Sequence, residues 1–360
     1  MFDYLIVGSG LFGSVFAQLA TAKGKKCLVI EERQHIGGNC YSESIENIHV
    51  CKYGGHIFHT NNSAIWNYFD KFCKLRPYAH FVRANNGGKV FSFPINLMTL
   101  NQLHGINKPH EAHQYLRDNC SNISNPRNLE EWCLTNVGKE LYELFIKGYT
   151  SKHWDRKPTD LPPFLIKRLP LRFTYENTYF EDTYQGFPEK GYTELFNNLL
   201  ENAQVELGCD YFQKRDYYDN LAKKVVYTGP IDKFFNYCDG KLDYRSLKHK
   251  NFILEGDYQG CATVNYTGMD RKFTRIIEHK HFQPHKNNPK TVITVEWSSG
   301  YDGSNLPFYP INDQVNNQIF RSYKRRIQKS KYIFGGRLAD YKYYDMHMVI
   351  GKVLAMQKVI

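Results

Sequence analysis

The chain lacks the cysteine spacing of a metal or redox centre. Its nine cysteines are scattered along 360 residues, and no two of them form a C-x-x-C pair. Such pairs are typical of structural zinc sites, iron–sulfur sites and disulfide-rich proteins. The distribution therefore argues against those classes and favours reduced thiols that pack as small core residues. We expect no metal site.

Long apolar runs are also lacking, and we expect no N-terminal leader. No segment approaches the roughly 20 apolar residues of a membrane-spanning helix, and the first strand-like run begins directly after Met1, without the regions of a signal peptide. We therefore expect a soluble, cytoplasmic protein. The net charge of +11 suggests anionic partners, which could be nucleic acid, phosphate ligands or a membrane surface.

The first forty residues contain a dinucleotide-binding pattern. An apolar run at residues 3–7 leads into the motif GSGLFG, a helical segment follows, and a second apolar run ends on Glu31. In this pattern Gly8 permits a tight turn, Gly10 lets the backbone approach a pyrophosphate, and Gly13 lets the helix pack close to the strand. A carboxylate at the place of Glu31 accepts ribose hydroxyls, so the pattern favours a nucleotide without a 2′-phosphate.

Two further glycine turns extend this pattern. Gly38 and Asn39 lie in the first, an extension that flavoproteins often have. The second lies near the C-terminus, where a double glycine joins a predicted strand to a predicted helix that Asp345 is placed to cap. The N-terminus of this helix would be the second one to face the nucleotide. Its positive end could stabilise negative charge on a flavin ring, although an ordinary C-terminal docking helix has the same pattern.

The periodicity predicts an α/β fold in which a Rossmann-like FAD-binding domain carries an inserted helical domain and an antiparallel β-sheet domain. Residues 173–184, 264–266, 274–282 and 291–297 alternate or are β-branched and aromatic, which predicts strands. A strand at 225–227 is expected to return to the nucleotide domain. The predicted domains are 1–75, 193–240 and 314–360 (FAD-binding), 76–150 (helical, with a mobile lid following to about 165), and 166–192 with 241–313 (sheet).

Several long, non-generic stretches resemble one known family. They are residues 8–13, 53–60, 147–154 (KGYTSKHW), 166–168, 179–180, 184–186, 227–232, 244–247, 274–282, 309–313 and 334–346. Together they are similar to the bacterial UDP-galactopyranose mutases over nearly the whole chain. The resemblance implies an FAD-dependent isomerase that interconverts UDP-galactopyranose and UDP-galactofuranose through a covalent adduct between N5 of the reduced flavin and the anomeric carbon.

The resemblance also implies the site residues. Catalytic roles fall on His56, Arg168 and Arg275. Substrate contacts fall on Phe145 and Tyr149 for uridine, on Arg168, Tyr179, Arg275, Tyr309 and Tyr343 for the diphosphate, and on His59, His80, Thr150, Trp154 and Asn265. Cofactor contacts fall on Gly8, Gly10, Phe12, Gly13, Glu31, Gly38, Asn39, His56, Ile57, Arg337, Tyr344, Asp345 and Met346.

Alternatives stay open at this level. The enzyme could also act on UDP-N-acetylgalactosamine, although His59, where we associate an arginine with that wider scope, favours plain UDP-galactose. A flavin amine oxidase-like oxidoreductase has the same fold class, and the basic segment 321–331 could bind nucleic acid. As partners we expect a UDP-sugar and a second copy of the chain in a homodimer, with no nucleic acid and no membrane insertion.

Overall fold

The computed structural model describes residues 1–166, 169–283, 288–328, 330–358 and 360. Its strands are β1 (Phe2–Val7), β2 (Cys27–Glu31), β3 (Ser42–Ile45), β4 (Ile48–Cys51), β5 (Phe58–Thr60), β6 (Leu75–Pro77), β7 (Val82–Asn86), β8 (Lys89–Phe93), β9 (Tyr184–Pro188), β10 (Gln204–Leu207), β11 (Ala222–Tyr227), β12 (Tyr244–Glu255), β13 (Thr263–Tyr266), β14 (Arg275–Glu278), β15 (Lys290–Gly300), β16 (Tyr309–Pro310) and β17 (Tyr332–Phe334).

The α-helices are α1 (Leu11–Thr21), α2 (Ser63–Phe72), α3 (Leu97–His104), α4 (Pro109–Asn119), α5 (Leu129–Asn136), α6 (Lys139–Leu141), α7 (Gly148–Trp154), α8 (Tyr192–Leu200), α9 (Arg215–Leu221), α10 (Ile231–Phe234), α11 (Gln314–Arg326) and α12 (Met346–Ala355), and a π-helix (Tyr142–Lys147) precedes α7. Within the described ranges, no helix has both the length and the apolar character needed to cross a bilayer.

The chain forms two compact units. The first unit comprises residues 1–77, 182–246 and 301–360, and the second comprises 78–181 and 247–300. The residues predicted for the FAD-binding domain all fall in the first unit. The division of the remaining chain into a helical and a sheet domain stays a prediction.

The first unit is built on a five-stranded sheet in the order β10-β2-β1-β11-β17. All four pairings are parallel, and Val7 at the end of β1 is opposite both Ile30 and Tyr227. β2 is buried along its whole length, as the near-continuous apolar run of a central parallel strand requires. The predicted return of a strand near Val226 to this sheet is therefore confirmed. The carboxyl ends of β1, β2 and β11 lie at one edge, where open α/β sheets bind ligands.

Smaller elements complete the first unit. β5, β9 and β6 form an antiparallel sheet, β3 pairs with β4, and the start of β12 pairs with β16. Helix α1 packs against α8 and α12. Its residues Val15, Phe16 and Ala17 are fully buried, which fixes the helix behind the glycine turn.

The second unit is organised around the order β12-β15-β14-β13-β7-β8. The pairs β13–β14 and β14–β15 are antiparallel, as predicted for this sheet. β7 and β8, from the region predicted to be helical, also pair antiparallel, and β7 joins the sheet by pairing with β13 in parallel. The exposed part of β12 was not predicted, because Lys248 and Lys250 interrupt its apolar pattern.

The strand predicted at residues 173–184 is wrong. This segment has one isolated bridge, from Phe81 to Thr178, and β9 begins only at Tyr184. Its carbonyl groups bind a side chain instead of a neighbouring strand: the buried Arg172 donates to the carbonyl oxygens of Thr178 and Glu176, and its Nε donates to Glu181 at 3.2 Å. The hydrogen bonds of Arg172 thus take the place of the strand-to-strand hydrogen bonds that the prediction required.

Candidate active site

The turn after β1 has the geometry of a phosphate-binding loop. Gly8 has φ +102°, in the left-handed region that favours glycine. A Cβ on Gly13 would lie 2.0 Å from the Gly8 carbonyl oxygen, so only glycine lets α1 pack this close. A Cβ on Gly10 would meet no described atom within 4 Å. The turn is therefore open at the N-terminus of α1, where unpaired N–H groups attract anions.

Glu31 is held at the same edge of the sheet and is only 7% exposed. Its Oε2 accepts hydrogen bonds from Ser9 N at 2.9 Å and Ser9 Oγ at 2.7 Å, and its Oε1 accepts one from Arg33 N at 3.1 Å. A carboxylate has about four acceptor positions. The arrangement is compatible with one further bond from a ribose hydroxyl.

Arg33 has a buried nitrogen that lacks an acceptor. Its Nη2 donates to Asn39 Oδ1 at 2.9 Å and its guanidinium lies 4.6 Å from the centre of the Tyr53 ring, but Nη1 is buried with no hydrogen-bond partner among the described atoms. The turn that carries Asn39 lies against the phosphate loop, since a Cβ on Gly38 would be 3.0 Å from Gly10 Cα. A buried cationic donor needs an anion. These residues therefore fit the diphosphate of FAD.

The residues expected beside the flavin ring are fixed by backbone contacts. His56 Nδ1 lies 2.7 Å from the Gly54 carbonyl oxygen, and Tyr192 Oη donates to the His56 carbonyl oxygen at 2.7 Å. Ile57 is buried. Phe12 is also assigned to the cofactor. Its buried ring packs against the C-terminal double glycine, since a Cβ on Gly335 would lie 2.0 Å from the ring.

The start of α12 departs from its prediction in one detail. Asp345 occupies the position before the helix, as expected, but its side chain makes no capping hydrogen bond. The first-turn N–H groups, which begin at Met346, therefore receive no hydrogen bond from this carboxylate and can face an anionic ring. Arg337 binds the residues just before α12, because its Nη2 donates to the Tyr344 carbonyl oxygen at 2.7 Å.

Two tyrosines assigned to the diphosphate lie together in the first unit. The rings of Tyr309 and Tyr343 stack with centres 5.0 Å apart and planes inclined by 16°. The guanidinium carbon of Arg337 lies 5.4 Å from each ring centre. The cation therefore stabilises the pair through both aromatic faces.

His59 has an acidic partner that sequence reasoning missed. Its Nδ1 lies 2.7 Å from Asp182 Oδ2, and its ring meets that of His347 edge-on at 5.2 Å. Burial, together with the neighbouring charge of His59, lowers the pKa of His347. Asp182 and His347 thus hold the His59 ring, and no sequence signal links positions 59 and 182.

In the second unit, three neighbouring strands place polar side chains in one row. Asn265 on β13 is opposite Arg275 on β14, which is opposite Glu296 on β15. Residues directly opposite each other point to the same face of a sheet. Arg275 Nε donates to Glu296 Oε1 at 2.6 Å. Asn265 is 8% exposed, and its Oδ1 is buried without a hydrogen-bond partner among the described residues.

Glu296 is the buried counter-ion of Arg275. It is fully buried, and its Oε2 lies 3.2 Å from His249 Nε2. Burial alone would raise the pKa of Glu296, but the charge of Arg275 and the hydrogen bonds from His249 and Arg275 hold it well below its usual range. Glu296 is therefore ionised, and it accepts the hydrogen bond that the Nε of Arg275 donates at 2.6 Å.

We predict that Glu296→Gln lowers kcat/KM by about ten- to a hundredfold. The loss of the negative charge weakens a charge-assisted hydrogen bond, a kind of bond that typically contributes ~1.5–3 kcal/mol, so Arg275 is held less firmly. Steady-state kinetics on FAD-loaded protein measure the effect. Glu255→Gln, at the exposed end of β12, is the control and should match the wild type; equal kcat/KM in the two variants would show that Glu296 does not orient Arg275.

The π-helix and α7 carry the residues assigned to uridine. Tyr149 is half-buried, whereas Phe145 is 2% exposed and meets Phe91 edge-on at 5.3 Å. Thr150 and Trp154 are buried. Tyr149 is thus the ring of this set with an accessible surface, and the assignment of Phe145 to base stacking stays a prediction.

Two other assigned residues adjoin each other in the second unit. Tyr179 N donates to the His80 carbonyl oxygen at 2.7 Å, and the two rings meet edge-on at 5.8 Å. Arg168, predicted as the second diphosphate arginine, lies outside the described residues. The segment after α7 contains two short 3-10 helices, Pro158–Asp160 and Pro163–Leu165, and its role as a lid stays a prediction.

Among the described residues of the second unit, one group of side chains has the ligand types and spacing of a metal site. Single ligand atoms of Asp257, Glu278 and His281 lie within 4.8 Å of one another. Lys280 Nζ lies 2.6 Å from Asp257 Oδ1 and supplies positive charge there. We assign no ion to this group.

Comparisons with known proteins agree with the resemblance. Residues 144–343 match the family model of UDP-galactopyranose mutase, and residues 6–72 match that of an NAD(P)-binding Rossmann-like domain. The chain is 39% identical to a probable UDP-galactopyranose mutase of Klebsiella pneumoniae, covering 98% of this chain and 93% of the relative. It is 38% identical to the dTDP-fucopyranose mutase of Escherichia coli (97% and 96% covered) and 32% identical to the UDP-galactopyranose mutase of Mycoplasma genitalium (97% and 92%).

Solved structures agree on the fold. A crystal structure of reduced UDP-galactopyranose mutase superimposes with a TM-score of 0.76 at 14% identity, covering 100% of this chain and 95% of that one. Putrescine oxidase bound to putrescine superimposes with a TM-score of 0.59 at 11% identity, covering 99% and 98%. The predicted α/β fold with a Rossmann-like domain is confirmed. With the family-model match and the full-length relatives, these findings establish that the chain belongs to the UDP-galactopyranose mutase family.

Proposed function

We propose that this enzyme interconverts UDP-galactopyranose and UDP-galactofuranose without net oxidation or reduction. The observation that carries the proposal is the 39% identity to the Klebsiella pneumoniae protein across 98% of the chain. The similarity spans the residues of both units that the family resemblance assigns to cofactor and substrate, so it is not confined to the common Rossmann-like portion.

FAD is the cofactor. The open turn at Gly10, with Glu31 and Arg33, would hold its adenosine diphosphate part. His56, Arg337 and the first turn of α12 would hold the ring system. When reduced, the bound flavin would supply at N5 the nucleophile for the anomeric carbon of the sugar.

Arg275 would bind the diphosphate while it leaves the sugar and while it returns. Negative charge develops on the diphosphate as its bond to the sugar breaks, and a guanidinium makes charge-assisted paired bonds to such oxygens. Because Glu296 accepts from Nε, the plane of the guanidinium is set before the substrate arrives, which lowers the cost of reorganisation. On the family resemblance we propose Arg168 as a second arginine with this role.

Uridine would bind to α7 and β13. Stacking of a base on an aromatic ring contributes about 1–3 kcal/mol, and Tyr149 offers the accessible ring. The buried Asn265 Oδ1 needs a donor, which a ribose hydroxyl or the uracil N–H would supply. Tyr309 and Tyr343, stacked beside Arg337, would donate their phenol hydroxyls to diphosphate oxygens.

A second substrate is favoured by a specific observation. The relative named dTDP-fucopyranose mutase is only one percentage point less identical than the relative named UDP-galactopyranose mutase. A 2-acetamido UDP-sugar is a third candidate. It is disfavoured because this chain has His59 where we associate an arginine with that substrate. The amine oxidase alternative depends on likeness at 11% identity, which supports the fold alone.

A substrate panel tests the choice. Reduced, FAD-loaded enzyme is given UDP-galactofuranose, dTDP-fucofuranose and UDP-N-acetylgalactofuranose separately, and pyranose products are quantified by chromatography. We expect kcat/KM to be at least tenfold higher for UDP-galactofuranose than for the other two. A preference for the dTDP-sugar would replace the proposed substrate and leave the mutase reaction intact.

A further inference from the structure

The side chain of Lys152 on α7 ends in a cage of backbone oxygens. Its Nζ lies 2.7 Å from the Tyr266 carbonyl oxygen, 2.6 Å from that of Gly268, 3.1 Å from that of Arg271 and 3.2 Å from that of Phe273. An ammonium has three donor hydrogens, so four oxygens surround it as they would a bare cation. The lysine therefore acts as an internal monovalent cation.

All four oxygens belong to one stretch of chain, residues 266–273, which runs from the last residue of β13 towards β14 and is called the 266–273 loop here. The middle of this loop is exposed to solvent: Met269 is 68% exposed, and the side chain of Arg271 is 61% exposed. At its two ends the rings of Tyr266 and Phe273 meet edge-on at 4.6 Å, while the four carbonyl groups converge on Lys152. Burial lowers the pKa of Lys152 to about 8, against the charge of Asp270, while the four carbonyl dipoles favour the ammonium. The four bonds to Lys152 thus order the loop together with the backbone bond from Thr267 N to the Asn85 carbonyl oxygen at 2.8 Å.

The helix meets the same loop one turn earlier. A Cβ on Gly148 would lie 2.3 Å from the Thr267 carbonyl oxygen, so the α7 backbone touches the loop there. Gly148 and Lys152 are four residues apart and share one helix face. Tyr149 and Thr150 lie between them on the same helix, so their positions follow from this double contact.

We propose that Lys152 is a positioning residue that sets the nucleotide-contacting helix α7 against the β13–β14 hairpin. The loop that it binds joins the strand of Asn265 to the strand of Arg275, which are cross-strand partners. One ammonium therefore fixes the spacing between the helix assigned to the base and the arginine assigned to the diphosphate. The inference rests on the proposed UDP-sugar function. It adds to that function a residue that positions the part of the site assigned to the base relative to the part assigned to the diphosphate.

The test compares Lys152→Met with Lys147→Met in oxidised, FAD-loaded protein. Methionine keeps an apolar stem and removes the ammonium. Lys147, on the preceding π-helix, forms a half-exposed ion pair with Glu143 at 2.8 Å and is the matched control. Calorimetric titration with UDP should show at least a tenfold weaker Kd for Lys152→Met and less than a twofold change for Lys147→Met. In the dithionite-reduced, FAD-loaded variant with UDP-galactofuranose, KM should rise at least tenfold while kcat changes less than threefold.

A chemical rescue separates positioning from a general loss of stability. Lys152→Ala leaves space for propylammonium, so propylamine should restore UDP affinity at least threefold, whereas propanol should not. Wild-type UDP affinity in Lys152→Met would overturn the positioning role and leave the mutase proposal standing. Failure of the wild type to bind UDP would overturn both. Failure of propylamine to restore binding to Lys152→Ala would also contradict the proposal.

Discussion

The Arg275→Ala variant is expected to lose at least about a thousandfold in kcat/KM while it still binds FAD. The loss of one preorganised donor to a developing negative charge typically costs about 10²–10³ in rate, and Arg275 is assigned two such bonds. The cofactor should stay bound because the residues that fit it, Gly10, Glu31 and Arg33 among them, belong to the first unit, whereas Arg275 belongs to the second.

The variant also leaves a buried carboxylate without its main partner. Removing one member of a buried ion pair costs roughly 3–5 kcal/mol, so Arg275→Ala could lose activity through unfolding alone. The double variant Arg275→Ala with Glu296→Gln removes the orphaned charge. It should regain thermal stability and remain inactive.

Flavin absorbance, thermal unfolding and steady-state turnover distinguish the outcomes. The account expects a yellow, folded, inactive double variant and a weaker but measurable activity in Arg275→Lys, which keeps the charge without the planar fork. Near wild-type turnover in the folded Arg275→Ala protein would show that another residue holds the diphosphate.

The Gly10→Val variant is expected to fold and to weaken FAD binding by at least about a hundredfold. Gly10 has φ −67° and ψ −178°, a conformation that valine adopts readily, and a Cβ there meets no described atom within 4 Å. The protein itself therefore tolerates the side chain. The valine side chain would stand between the backbone and the pyrophosphate, so it is expected to weaken FAD binding and not to unfold the protein.

Gly24→Asn is the matched control for this variant. Gly24 lies in the turn after α1 with φ +73°, which asparagine tolerates, and a Cβ there also has no described neighbour within 4 Å. Flavin content after purification and FAD titration of the apoprotein measure the effect. A yellow Gly10→Val protein with unchanged FAD affinity would mean that the cofactor does not cross this turn.

Local patterns in the sequence predicted the βαβ start well. The strands around Leu5 and Val29 and the glycine turn between them depend on neighbouring residues, so periodicity and backbone freedom suffice to place them. The same reasoning failed at residues 173–184, where strand-like residues surround Arg172, whose guanidinium takes the carbonyl groups of the loop. The deciding interaction there is a side-chain contact, which alternation does not reveal.

The partners of the assigned residues were beyond sequence reasoning. Glu296 meets Arg275 across two strands, His59 meets Asp182 at a separation of 123 residues, and Lys152 binds oxygens at a separation of up to 121 residues. Family resemblance points to residues that contact the ligand. The groups that hold those residues in place emerge only from the tertiary fold.

The most direct measurement follows both sugar and flavin in one reaction. Dithionite-reduced, FAD-loaded enzyme is mixed anaerobically with UDP-galactofuranose, the product is identified by chromatography, and the flavin spectrum is recorded throughout. The account predicts many turnovers to UDP-galactopyranose per flavin, with the flavin still reduced at the end, and no turnover by the oxidised enzyme. Stoichiometric oxidation of the flavin without formation of pyranose would contradict it.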